Sequence, residues 1–360
     1  MVNLGWIFMG ILVIGFAIWA HLYFWRAYYE RKGITGEYFF FKNRHGWTLT
    51  LERISNRSPD DVLESKGVIL CCAGLACSGR IFHLNSRLSF ANHLDHAGYE
   101  VWILHPRGMG PSQHPKTKQD WDFGFEGYQE DAHDGFKELY TRYQLPITWI
   151  GHSMGGLLGY TLAFQKEPGL QRLITLGTPA TFEHSEIPPF HLSLFKWFGY
   201  GLPFAPYRFL ATLVAPWSGW TSLFHPKPLW VNYTAFHQRD VRQLMGQVFH
   251  AVPRKLIKQF LKAIEFKTSL YGYSSKELAD AYAKLDLPIL AIAGDRDGLA
   301  PLSQTQSIQT FNPSALTFHC QPNYGHGELV VGEGCQKEII PLILTWLDQT
   351  NLPLSKKTGE

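Results

Sequence analysis

The sequence predicts an α/β fold: a mostly parallel central sheet with helices on both faces, a helical cap inserted late in the chain, and one apolar N-terminal helix in front. Three observations carry that expectation. Short, near-continuously apolar runs alternate with helical stretches, which is how strands covered on both faces read. Several runs end in Gly-rich or Asp-rich loops, and in parallel sheets the loops after strand C-termini carry the site. One long aromatic segment breaks the alternation, as an insertion laid over those loops does.

Taking the elements in order, Leu4 to Trp25 contains no Asp, Glu, Lys or Arg, and about 20 such residues cross a bilayer core as a helix. Trp6 at one end and Tyr23 and Trp25 at the other stand where interfacial aromatic belts form. A cleaved signal peptide and a buried core helix compete with an uncleaved anchor. M-V-N offers no basic n-region and bulky residues fill the segment's end, which favours the anchor. Arg26, Arg31, Lys32, Lys42 and Arg44 all follow the span. The positive-inside rule therefore puts the bulk of a single-pass protein on the cytoplasmic side, as in a bacterial inner membrane or its equivalent. The anchor and a connector take residues 1–35.

Glu37 to Phe41 and Trp47 to Ile54, with Gly46 between them, read as a β-hairpin. Buried strands follow at Val68 to Cys72, Glu100 to Leu104, Ile147 to Ile150, Arg172 to Leu176, Ile289 to Ala293 and Leu316 to Cys320, with a helix from about Met154 to Lys166. The core thus spans residues 36–180 and 276–350. Residues 181–275 show no clear strand, are rich in Pro, Trp and Phe, and read as a cap. An ordinary helical layer is the alternative. Residues 351–360 read as a flexible tail.

Composition narrows the chemistry. A chain of 360 residues with 45% apolar and 18% charged residues is not disordered, and a net charge of +3 does not point to nucleic acid. There is no C-x-x-C pair, His/Cys cluster or Walker-type loop, so neither a metal nor a cofactor is expected, and no protein partner is indicated. The five cysteines lack framework spacing and fall mostly in core runs. They read as buried thiols of a reducing compartment, with a catalytic thiol as the weaker alternative.

The chemistry concentrates around W-I-G-H-S-M-G-G at residues 149 to 156. A serine hydroxyl is a poor nucleophile unless a base takes its proton and preset donors meet the oxyanion. A sharp strand-to-helix turn lifts the Ser153 Oγ above the sheet and leaves the Met154 N–H facing the reacting carbonyl oxygen. Gly151 and Gly155 give the room such a turn requires. The partners should follow in the order acid, histidine. A-I-A-G-D-R-D-G-L-A-P offers Asp295 and Asp297, of which Asp297, beyond the strand end, reaches a neighbouring loop better. N-Y-G-H-G-E-L then places His326 among small residues as the base, with its Nδ1 proton held by the acid. His152 and His105 fit loop-orienting roles better, and Glu328 reads first as a solvated loop carboxylate, with tuning of the histidine as the alternative. In C-C-A-G-L-A-C-S-G-R, the N–H of Leu75 is the best-placed second oxyanion donor, with Ala76 as the alternative.

G-H-S-M-G-G, the A-G-L-A loop, R-G-M-G-P-S, G-D-R-D-G-L-A-P and Y-G-H-G together resemble the α/β-hydrolase superfamily over about residues 37 to 348. H-A-G-Y-E-V-W-I-L-H-P-R-G followed by W-D-F-G-F-E-G-Y is similar to its acid lipase branch, gastric and lysosomal, and the bacterial relatives. The resemblance implies an α/β-hydrolase fold, a triad of Ser153, Asp297 and His326, an oxyanion hole from the Leu75 and Met154 N–H groups, and a lid after the sixth strand. Two positions depart from that branch: A-G-L-A stands where H-G-L is usual, and Met154 where Gln is typical. The expected activity is hydrolysis of a lipid-like carboxylic ester through an acyl-enzyme. Phe195, Trp197, Trp217 and Trp220 of the cap are candidate substrate contacts, since buried acyl methylenes gain about 0.8 kcal/mol each. Lys255, Lys258 and Lys262 offer either a basic face to headgroups or an ordinary solvated helix face. An acyltransferase with the same triad, and a non-catalytic binding protein on this fold, are the alternatives.

Overall fold

The structure, a computed structural model, describes residues 4–31, 33–54, 65–183, 193, 203–218 and 236–350. It opens on α1 (Leu4–Glu30), whose stretch Gly5–Glu30 is long and apolar enough to cross a membrane. At about 1.5 Å per residue such a helix exceeds a bilayer core of about 30 Å. Trp6, Ile11 and Phe16 are exposed on it. Only its last turns dock on the globular part: Tyr29 is buried, Gln247 Nε2 donates to Tyr29 O, and His21 Nε2 meets Leu213 O at 3.2 Å.

The expected hairpin forms from β1 (Glu37–Lys42) and β2 (Thr48–Arg53). Asn43 closes its turn, with Oδ1 accepting from the N–H groups of His45 and Trp47 and Nδ2 donating to Asp131. Then come β3 (Val68–Cys72), α2 (Phe90–His96), β4 (Glu100–His105), α3 (Phe125–Tyr143), β5 (Ile147–His152), α4 (Met154–Phe164) and β6 (Leu170–Leu176). Further along the chain, β9 (Ile289–Gly294) and β10 (Leu316–Gln321) complete a sheet of 8 strands in the order β1-β2-β4-β3-β5-β6-β9-β10. Every pairing from β4 to β10 is parallel, and only β2 joins its neighbours antiparallel.

Alternation along the strands divides the core into two layers. Leu70, Trp102, Leu104 and Trp149 pack against Phe125, Tyr128 and Leu158 on one face. Ile69, Val101, Ile103 and Ile150 pack against Phe82, Phe90 and Trp346 on the other. A buried ion pair between Arg53 and Glu100, with Nε to Oε1 at 2.6 Å, ties the antiparallel edge to β4.

Between β6 and β9 the described chain is mostly helical, with helices Tyr207–Val214, Gln238–Gln247, Arg254–Phe266 and Ser275–Ala283. One correction to the expected absence of strands applies: β7 (Phe204–Ala205) and β8 (Val252–Pro253) pair antiparallel. Two residues are too few to show a period of two in sequence, and Pro253 removes a donor that a longer ladder would need. The basic face expected at Lys255, Lys258 and Lys262 lies on Arg254–Phe266, where Lys255 is paired with Glu126.

Candidate active site

β5 delivers the chain to Ser153 beside the C-terminal end of β6, where Ser153 N donates to Leu176 O at 2.9 Å. There the backbone reverses into α4 with φ 54° and ψ −119° at Ser153, a combination that costs a non-glycine residue about 1–3 kcal/mol. The two glycines of the motif make this reversal possible. A Cβ on Gly155 would collide with the carbonyl of Cys72 in β3, and one on Gly151 with the backbone of Gly155. The surrounding sheet therefore holds Ser153 in a conformation that a serine avoids by itself. Thr178, in the G-T-P loop after β6, donates from Oγ1 to Ser153 O at 3.2 Å.

Met154 opens α4, so its N–H precedes the first intrahelical bonds, which run from Gly156 and Leu157 to Ser153 O. Opposite lies the loop after β3. Gly74 is so close that a Cβ there would stand 2.8 Å from Ser153 Cβ. Cys77 N donates to Gly74 O at 3.1 Å, and Ala76 adopts φ 61° inside that turn. Leu75 sits at its crest, half-buried.

The residues expected as acid and base, Asp297 and His326, follow the ends of β9 and β10. His326 Nδ1 bonds Asp297 Oδ2 at 2.7 Å, with both side chains buried. The other carboxylate oxygen of Asp297 accepts from the N–H groups of Leu299 and Ala300, each at 2.8 Å. Asp297 is thereby fixed at both oxygens. Asp295, by contrast, accepts from Asn323 N on an exposed loop. Gly177, at φ 55°, brings β6 against this pair: a Cβ there would lie 3.0 Å from Asp297 Oδ2 and 3.1 Å from His326 Nδ1. Neither the Ser153 hydroxyl nor His326 Nε2 is hydrogen-bonded among the described residues. Such links often tighten only when substrate is bound.

His152 and His105 are placed in supporting positions. His152 Nε2 lies 3.1 Å from His326 O, and the two rings are 4.6 Å apart. Burial first, and the neighbouring His326 second, hold His152 well below its ordinary value. Its neutral ring thus carries the proton on Nε2 and donates to the His326 carbonyl. Residue order alone gave no signal of this contact. His105 Nε2 bonds Glu52 Oε2 at 2.8 Å, and its carbonyl accepts from Ser112 Oγ at 2.5 Å, so it braces the R-G-M-G-P-S loop. Glu328 is buried next to the His326 loop.

Residues 67–327 match the family described as the alpha/beta hydrolase fold. The chain belongs to this α/β-hydrolase fold family. It is 22% identical over 333 residues to triacylglycerol lipase 1 of Arabidopsis thaliana, a match covering 83% of each protein. Among solved structures, an esterase from Thermogutta terrifontis superposes with a TM-score of 0.59 at 16% identity, covering 88% of this chain and 100% of that one. A monoacylglycerol lipase from Paleococcus ferrophilus gives 0.57 at 16% identity, covering 84% of this chain and 99% of that one.

In this α/β hydrolase, Ser153, Asp297 and His326 come from the ends of β5, β9 and β10, in chain order Ser, Asp, His. Of the expected cap contacts, Phe195, Trp197 and Trp220 lie outside the described residues. Trp217 is 53% exposed and stacks on His21 of α1, with ring centroids 5.1 Å apart.

Proposed function

We propose that this carboxylic ester hydrolase is anchored in a membrane by α1 and cleaves lipid-like esters through an acyl-enzyme on Ser153. His326 Nε2 takes the hydroxyl proton as Ser153 Oγ attacks the ester carbonyl carbon. The resulting oxyanion is met by the N–H groups of Leu75 and Met154. Collapse breaks the bond to the alcohol oxygen, which leaves with the proton held by His326. Water then attacks the acyl-enzyme, giving its proton to His326, and the acid departs as Ser153 recovers its hydrogen. Asp297 keeps the His326 Nδ1 proton in place and steadies the imidazolium.

The observation that carries this reading is the buried 2.7 Å bond between His326 Nδ1 and Asp297 Oδ2. A carboxylate already saturated by two backbone donors has one oxygen left to aim, and it aims at the one histidine nitrogen that must hold a proton. The strained turn at Ser153 supports the nucleophile role. Kinship with a triacylglycerol lipase, together with the apolar α1, supports a lipid-like ester as substrate. Residues 181–275 act as the lid, with Phe195, Trp197, Trp217 and Trp220 contributing apolar surface, and the catalytic part lies on the cytoplasmic side.

The test is fluorophosphonate labelling of the full-length protein beside activity on esters of increasing chain length. Wild type is expected to label and Ser153→Ala not to. An unlabelled wild type overturns the acyl-enzyme, and turnover confined to acetyl and butyryl esters overturns the lipid-like substrate.

A further inference from the structure

A groove of about 380 Å³ lies between the last turns of α1 and the cap, away from the loops that hold Ser153. Its walls are apolar: Trp19 and Leu22 from α1 face Phe204 and Phe209 from the cap, with Ala251 also lining it. Two guanidiniums line it as well, Arg26 from α1 and Arg208 from the cap helix Tyr207–Val214. Both reach a single carboxylate oxygen, Glu30 Oε1, at 2.8 Å from Arg26 and 3.4 Å from Arg208. Two positive charges against one negative leave the cluster net positive.

Position on α1 says what fills such a groove. Arg26 is the first charged residue after the apolar run, so on the reading of α1 as a membrane span the groove opens at the level of the lipid headgroups. Phe209 and Trp217 of the cap are both exposed, and Trp217 stacks on His21 of α1. An apolar trough ending in two arginines matches one molecule: an acyl chain along the walls and a phosphate at the mouth.

We propose that this groove binds an anionic glycerophospholipid from the adjacent leaflet, its phosphate held between Arg26 and Arg208 and one acyl chain laid along Trp19, Leu22 and Phe209. The proposal rests on α1 spanning the membrane and is independent of the chemistry at Ser153. A soluble phosphate ester offers the same anion, but leaves the apolar walls uncovered. The groove also adjoins the site through the chain. His250, next to Ala251, donates from its N–H to Ala76 O at 2.8 Å, and Ser78 N donates to Val248 O at 2.8 Å, so the segment lining the groove braces the loop that carries Leu75.

The experiment uses full-length protein in nanodiscs of phosphatidylcholine mixed with phosphatidylglycerol, with retained lipid read by native mass spectrometry. Wild type is expected to retain one phosphatidylglycerol in preference to phosphatidylcholine. Arg26→Gln and Arg208→Gln should each reduce the preference about fivefold, while the two Arg→Lys variants keep most of it. Glu30→Gln, which frees both guanidiniums, should raise it, a sign that a merely structural role for these residues would not produce. A wild type with no headgroup preference, or one unchanged in the Arg→Gln double variant, overturns the proposal. So does displacement of the lipid by sn-glycerol 3-phosphate. Release of the protein from membranes by alkaline carbonate would instead overturn the anchor itself, and loss of fluorophosphonate labelling in the same nanodiscs would overturn only the reading of Ser153.

Discussion

Replacing Asp297 by Asn separates the two candidate acids and tests the role of the buried pair. Asp297 Oδ1 accepts two backbone N–H bonds of 2.8 Å, from Leu299 and Ala300, so an amide at this position must keep its oxygen there. Turning the amide over would set NH₂ against two donors and leave all of them buried and unmatched. The NH₂ group therefore faces His326 Nδ1, across the 2.7 Å now spanned by Nδ1–H and Oδ2. Nδ1 must then accept, and its proton moves to Nε2, the nitrogen that has to take the Ser153 proton. The same tautomer trap in serine proteases costs about 10⁴-fold in kcat, or about 5.4 kcal/mol of transition-state stabilisation. Global stability should fall far less, by about 1.5–3 kcal/mol for one charge-assisted hydrogen bond. The assay is kcat for a p-nitrophenyl ester alongside a denaturant titration of the same preparation. Asp295→Asn, on an exposed loop, should leave kcat within about twofold. A folded Asp297→Asn variant that keeps more than a tenth of wild-type kcat would refute the reasoning, as would a larger loss at Asp295.

Three further outcomes are expected. Gly155→Ala sets a Cβ against the Cys72 carbonyl and so should lower stability by about 3 kcal/mol or more, read as a fall in denaturation midpoint; a neutral result would mean β3 and α4 can part without cost. Burial pushes His83 down to about 4 from its ordinary 6.5, so the unfolded chain binds more protons between those values. Stability from this group is complete above about pH 6.5 and is lost as pH falls toward about 4; His83→Gln should flatten that part of the stability profile, and an unchanged profile would clear His83 of the role. Burial pushes the thiols of Cys71, Cys72, Cys77 and Cys335 upward, Cys77 to about 12, while Cys320 is partly exposed. A disulfide reagent at mildly alkaline pH should reach Cys320 alone in the native protein, and all five thiols only after denaturation.

The sheet was legible because its strands are buried on both faces. Val68–Cys72, Glu100–His105 and Ile147–His152 are short, bounded apolar runs, and each ended within a residue or two of its expected position. The turn at Ser153 was legible through its glycines, since Gly151 and Gly155 are required by backbone contacts that no other residue permits. Asp297 was preferred to Asp295 for its place beyond the strand end. What distinguishes their surroundings, the two N–H groups of Leu299 and Ala300 on Asp297, belongs to loop geometry that a one-dimensional pattern does not carry. The bond from His152 to the His326 carbonyl was invisible for a similar reason: it joins residues 174 apart, and nothing in either neighbourhood depends on the other until the sheet has formed.

The segment between β6 and β9 shows a different kind of limit. Its aromatic content can be satisfied by a substrate chain, by its own packing or by the N-terminal helix, and composition weighs these equally. Trp217 stacks on His21 of that helix while half of its surface stays exposed. Nor did α1 signal which of its faces would dock, because a helix apolar all round has no polar stripe to mark the solvent side. One of its close approaches depends on shape: Gly246, where any Cβ would collide with the Tyr29 ring, lets the helices Leu4–Glu30 and Gln238–Gln247 come into contact. One turn further on, Val248 and His250 bond the loop carrying Leu75. The end of α1 and a proposed oxyanion donor are therefore joined by one short segment, and the packing of Tyr29 on Gly246 bears on the geometry of that loop as well as on where α1 docks.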